Sequence, residues 1–216
     1  MGEQLGKIEK PEAEKFRGKK KLYLVPLIFY GENAPAEYME KFNRYWEQVK
    51  QQIANLESKI GKVSCVYHES ITQAGEEGLK VIEKLDPTCY QIVSNKCQSG
   101  AVLELIEDKE LAEESMDWER FLLTGFISRK VAKMVSEFYA EASRKRYENI
   151  ASRIDETLKT NEAGILFIRE GHMVQFPQSI EVFSVAPPAL DEIHRWQRER
   201  FSSALKEEEE GKPEAK

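Results

Sequence analysis

The chain has 216 residues, enough for one α/β domain with a sizeable core. Its net charge of −6 argues against general affinity for nucleic-acid backbones, which needs an excess of Lys and Arg on one face. No stretch approaches the ~20 consecutive apolar residues of a membrane span, and the longest apolar run, near Leu22–Tyr30, is interrupted by Pro26.

Residues 1–20 are polar, charged and without periodicity, and read as a flexible tail. They have no apolar core of the kind a signal peptide needs, so a cytoplasmic protein is expected. Residues 206–216 read as a second, acidic flexible tail. Residues 21–205 between them are expected to form a single α/β domain. Cys65, Cys89 and Cys97 read as reduced thiols rather than a disulfide framework.

Lys21–Tyr30 is apolar on both faces, as in a strand covered on two sides; Pro26 predicts an edge position or a bend. Phe42, Trp46, Val49, Ile53, Leu56 and Ile60 follow at steps of four and three, the seam of an amphipathic helix that Gly61 ends. Lys62–His68 reads as a second strand and Gly75–Leu85 as a helix. Asp86-Pro87 reads as a break and Cys89–Val93 as a third strand. Residues 99–159 form a long helical insertion, with Gly125 and Ser128 marking a break between two helices packed as a hairpin. Val131, Met134, Val135, Phe138 and Ala142 share one face of the second. Gly164–Arg169 and Ile180–Val185 read as strands four and five, and Ala189 to about Leu205 as a final helix. The βαβ order predicts a mostly parallel sheet of about five strands with helices on both faces. The ten residues between strands four and five are short for a helical crossover, which leaves an antiparallel fifth strand or an irregular connection.

In open parallel sheets, ligands sit at the carboxyl ends of the strands. Tyr30-Gly31-Glu32-Asn33 follows strand one, His68-Glu69 strand two, Ser94-Asn95-Lys96-Cys97 strand three and Glu170-Gly171-His172 strand four, so these groups are expected at one edge. Gly171 allows a sharp turn or a close backbone approach to a ligand. His194 lies in the last helix and reads as a partly exposed helix residue. Cys65 and His68 are three apart on a strand, so they face opposite sides, and Cys65 reads as core. The carboxylates from Glu104 to Glu119 read as a solvated helical face or a partner surface. Arg144-Lys145-Arg146 reads as an exposed turn or a phosphate-holding cluster. Neither a P-loop nor a dinucleotide glycine motif is present, nor a nucleophile elbow.

Two stretches together resemble the TraB/pheromone-shutdown group, an α/β family related to erythromycin-esterase-like and haem-uptake lipoprotein folds. The first is CVYHESITQAGEEGLKVIEKLDPTCYQIV, with His68 at the motif histidine and Leu85-Asp86-Pro87 at the turn. The second is RYENIASRIDETLKTNEAGILFIREGH, with Arg146, Ile150-Ala151, Ile154 and His172 at matching positions. Cys65 and Arg169 stand where the two motif glycines belong. The resemblance implies a hydrolase-like site built from His68, His172, Arg146 and Glu69 or Glu170. A divalent metal would be held by the two histidines.

Three functions follow as expectations. One is a non-catalytic, pseudoenzyme-like interaction module for a protein partner or a second copy of the chain, which the departures at the motif glycines favour. The others are a metal-assisted hydrolase and a small-ligand or nucleotide-binding regulatory domain. An exposed apolar face on the 128–159 helix would favour the first.

Overall fold

The computed structural model describes residues 16–31 and 33–210, with side chains to residue 203. Most of the first tail and residues 211–216 lie outside the described residues. Phe16 is structured: its ring meets Phe183 edge-on, with centroids 5.0 Å apart.

The fold is α/β. Five strands, β1 (Lys20–Leu27), β2 (Val63–His68), β3 (Val102–Glu104), β4 (Ala163–Arg169) and β5 (Ile180–Ser184), form one sheet in the order β3-β2-β4-β1-β5. Every pairing is parallel. β1 and β4 are apolar on both faces because helices cover both faces. Tyr23, Val25, Ile165 and Phe167 point into one core with α1 (Ala36–Lys59), α2 (Gly75–Leu85), α3 (Pro87–Gln98) and α6 (Pro188–Glu210). Leu22, Leu166 and Ile168 point into the other, against Tyr147, Ile150, Ile154 and Leu158 of α5 (Arg129–Thr157) and the residue just beyond it. α4 (Lys109–Leu123) packs on α5 as a helical hairpin inserted between β3 and β4.

Three expectations change. Cys89–Val93 is not a strand: it lies in α3, where Cys89, Ile92 and Val93 are buried at helical spacing. Asp86-Pro87 does end α2, and it also starts α3. The Asp86 carboxylate accepts from the backbone N–H groups of Thr88 and Cys89 at 2.8 and 3.0 Å, and Pro87 occupies the first helical position. The third strand is the three-residue β3, which interrupts the region read as continuous helix from residue 99. Ser128 caps α5, as the break there required.

Pro26 does not put β1 at an edge, since β1 lies between β4 and β5. Val185 N–H donates to the Leu24 carbonyl, the last rung on the β5 side. Pro26, two residues on, faces the same side beyond the end of β5, where no ladder donor is needed. Its carbonyl accepts from the Tyr45 hydroxyl instead.

The fifth strand is parallel, and its ten-residue connection is irregular. Val174 and Phe176 of that connection pack into the α5-side core, doing the covering that a crossover helix would do.

Candidate functional site

Because all strands are parallel, the groups that follow β2 and β4 do share one edge, whereas Ser94-Asn95-Lys96-Cys97 lies within α3 and follows no strand. The chain leaves β2 toward the α2/α3 face and β3 toward the α4/α5 face. β4, the other neighbour of β2, connects the opposite way, to β5 across the α5 face, so the ligand crevice of a doubly wound sheet falls at the ends of β2 and β4. Glu69 follows β2 there, and Glu107 follows β3.

The crevice is closed by the chain's own charges. Arg146, from the sheet-facing side of α5, is 3% exposed. Its Nε donates to both oxygens of Glu107, at 3.1 and 3.0 Å, and its Nη2 donates to Glu107 Oε1. Glu69 Oε2 lies 3.7 Å from Arg146 Nη2 and 3.4 Å from Arg169 Nε. Glu69 Oε1 accepts from the Arg169 backbone N–H at 2.7 Å. Arg169 Nη1 reaches outward to both oxygens of Glu119 on α4, at 3.1 Å each. The guanidinium of Arg146 also lies over the Tyr147 ring. Three carboxylates and two guanidiniums thus tie β2, β3, β4, α4 and α5 together.

Burial pushes the Glu69 carboxyl up, and Arg169 and Arg146 oppose that rise. Burial disfavours the Arg146 charge, and Glu107 and Glu69 outweigh it, so the guanidinium is held charged. This places a large desolvation cost on four buried or half-buried charges, offset only because each has a partner. Nε and Nη2 of the Arg146 guanidinium are taken by the chain's own Glu107, with Glu69 beside Nη2.

The two strand-end histidines do not converge. His68 is 1% exposed and lies against Phe167, on the α1/α3 side of the sheet. Its Nδ1 donates to the Glu69 carbonyl, while its buried Nε2 has no hydrogen-bond partner among the described residues. Burial lowers its pKa from 6.5 to about 4, so the ring is neutral near pH 7. His172 lies on the opposite face. It lines a cleft of about 200 Å³ with Leu24, Pro26 and Ile168, and its ring meets Phe176. Val174 N–H donates to its Nδ1 at 3.3 Å, and partial burial lowers its pKa. The sheet separates the two rings, so they do not fit a shared metal ion with nitrogen bonds of ~2 Å. Among the described residues, no three His, Cys, Asp or Glu side chains stand together as a metal-holding group.

Gly171 has φ +73°, and an added Cβ would meet no atom within 4 Å. Its left-handed backbone makes the turn that ends β4, and it lines the same cleft as His172. Glu170 does orient a histidine, but it is His194: Nε2 and Glu170 Oε2 are 2.7 Å apart, linking α6 to the end of β4. Cys65 lies in the α5-side core and His68 on the other side, as strand alternation required.

Glu107 and Arg169, the partners that hold Arg146 and Glu69, were not distinguished by sequence reasoning. Glu107 sits within a run of eight carboxylates that reads as solvated. The available signal was the short apolar step Leu103–Ile106 just before it, which marks a strand end. Of the basic cluster, Arg144 and Lys145 are exposed and only Arg146 turns inward.

Comparison of the chain with models of known families, with characterised proteins and with solved structures finds no match.

Proposed function

We propose that this chain is a non-catalytic interaction module that binds a protein through the end of its α4–α5 hairpin. The observation that carries the reading is the exposure of large apolar side chains there. Leu123 is 83% exposed and Ile127, in the turn, is fully exposed, while Phe121, Val131, Met134 and Phe138 are each about half exposed. Trp118 stacks on Phe138 with centroids 4.9 Å apart, extending the patch. Monomers rarely leave apolar patches beyond about 300–600 Å² in water, and larger ones mark interaction sites.

The sheet edge supports the same reading. At the ends of β2 and β4, Glu69 is paired with Arg169 and Arg146, and His68 is buried in the core. The departures at Cys65 and Arg169 from the TraB-like motifs agree with a fold kept and a site altered. We therefore rank a hydrolase below an interaction module.

The test is a photo-crosslinking amino acid at position 127 of the full chain, in cells of its source organism, with a control at exposed Lys80 on α2. A discrete adduct formed from position 127 and not from position 80 is expected. No adduct from position 127 would overturn the reading.

A further inference from the structure

We infer that the partner of the hairpin end is a second copy of this chain, docked so that α4 of each copy lies against α5 of the other. The inference rests on reading the hairpin end as a binding surface, and two observations choose the occupant.

The first is charge. α4 carries five acidic and two basic side chains. α5 carries five exposed basic and three exposed acidic ones from Arg129 to Glu148. Most ion pairs on these helices run within one helix, between exposed side chains such as Lys109–Glu113, Lys133–Glu137 and Arg144–Glu148. Such pairs hold little energy and leave the net sign of each helix intact. Among the described residues, Glu110, Glu114, Arg129 and Lys130 form no ion pair. A surface that is acidic on one side and basic on the other is self-complementary under a two-fold rotation about the hairpin's long axis. That rotation lays α4 of one copy on α5 of its partner. A two-fold axis across the hairpin would lay acid on acid and base on base.

The second is size. A large apolar side chain presents about 200 Å² when free. Phe121 lies beside Trp118, which stacks on Phe138, while Leu123 points about 200° around α4 from Phe121. The other five exposed at the hairpin end therefore offer on the order of 600 Å² per copy, or about 1,200 Å² over two copies, the lower end of stable interfaces. The product is a four-helix bundle with an apolar centre and alternating charge around it.

The test uses light scattering on the full chain with two charge-reversed variants, Glu113→Lys/Asp117→Lys on α4 and Lys133→Glu/Arg144→Glu on α5. All four positions are exposed, so the fold is retained, and circular dichroism checks it. The wild-type chain is expected at about 50 kDa, twice its 25.0 kDa. Each variant alone places like charges across the two-fold axis. It is expected to dissociate at a tenfold or higher concentration than wild type. The two variants mixed restore both acid–base contacts and are expected to return to the dimer mass. A wild-type chain that stays at the monomer mass at 100 µM overturns the second copy as occupant, as does a mixture no more associated than its components. In that event a position-127 photo-adduct with a different protein leaves the binding surface standing, and the absence of any adduct ends both readings.

Discussion

His68 makes the acid limb of the stability profile a direct readout of the sealed sheet edge. In the unfolded chain a histidine takes up its proton near pH 6.5; in the fold, burial lowers that value to about 4. Between these values the unfolded state binds a proton that the native state refuses. Stability therefore falls as pH drops through the window and is fully present above it. At about pH 5 the two values correspond to a loss of about 2 kcal/mol relative to pH 7.5, at about 1.36 kcal/mol per unit. His68→Asn keeps a donor near the Nδ1 position for the Glu69 carbonyl and removes the titration. Urea unfolding of both proteins at the two pH values gives a double difference in which Glu69, present in both, cancels. The wild type is expected to lose about 2 kcal/mol more than the variant on acidification. Equal losses would mean that His68 titrates normally, and the argument that it is sealed in the core would fail.

Glu107→Gln strands the buried Arg146 charge and is expected to cost about 3–5 kcal/mol, read as a lower urea midpoint at an unchanged slope. Asp86→Ala removes the cap of α3 and is expected to cost about 1–2 kcal/mol in the same assay. Gly171→Ala forces a side chain into left-handed backbone and is expected to cost about 1–2 kcal/mol. With open space around it, no further penalty from crowding is expected. Leu123→Asp with Ile127→Asp is expected to leave the melting temperature within a degree or two of wild type, because these side chains are solvated in the single chain at low concentration.

The long elements were legible because each carries one unbroken period. The α1 seam from Phe42 to Ile53 is buried as its spacing required, and β1 and β4 are apolar on both faces because both faces are covered. The failures were short or ambiguous. Cys89-Tyr90-Gln91-Ile92-Val93 is too brief for composition to separate strand from helix. The Asp86-Pro87 pair is the decisive signal, and it opens a helix as readily as it closes one. β3 has three residues, fewer than a period-two pattern needs to stand out.

The site was legible in part, for a physical reason. Position along a parallel sheet follows from chain order, so Glu69, Glu170 and His172 were placed at the right edge. Which face a side chain takes after its strand ends depends on backbone turns that leave no periodicity. His68 and His172 therefore separate across the sheet, and Glu170 reaches His194 rather than either of them. The pairing of Arg146 with Glu107 joins residues 39 apart through tertiary packing alone.

The most direct test of the account is whether the hairpin end is covered in the working protein. A single added cysteine, Ile127→Cys, would be alkylated by a permeant maleimide in living cells and in the purified chain at high dilution, with Lys80→Cys as the exposed reference. The account predicts that position 127 reacts several-fold more slowly in cells than in the dilute chain, while position 80 reacts alike in both. Equal relative rates at the two positions would mean that the apolar end stays in water, and would contradict it.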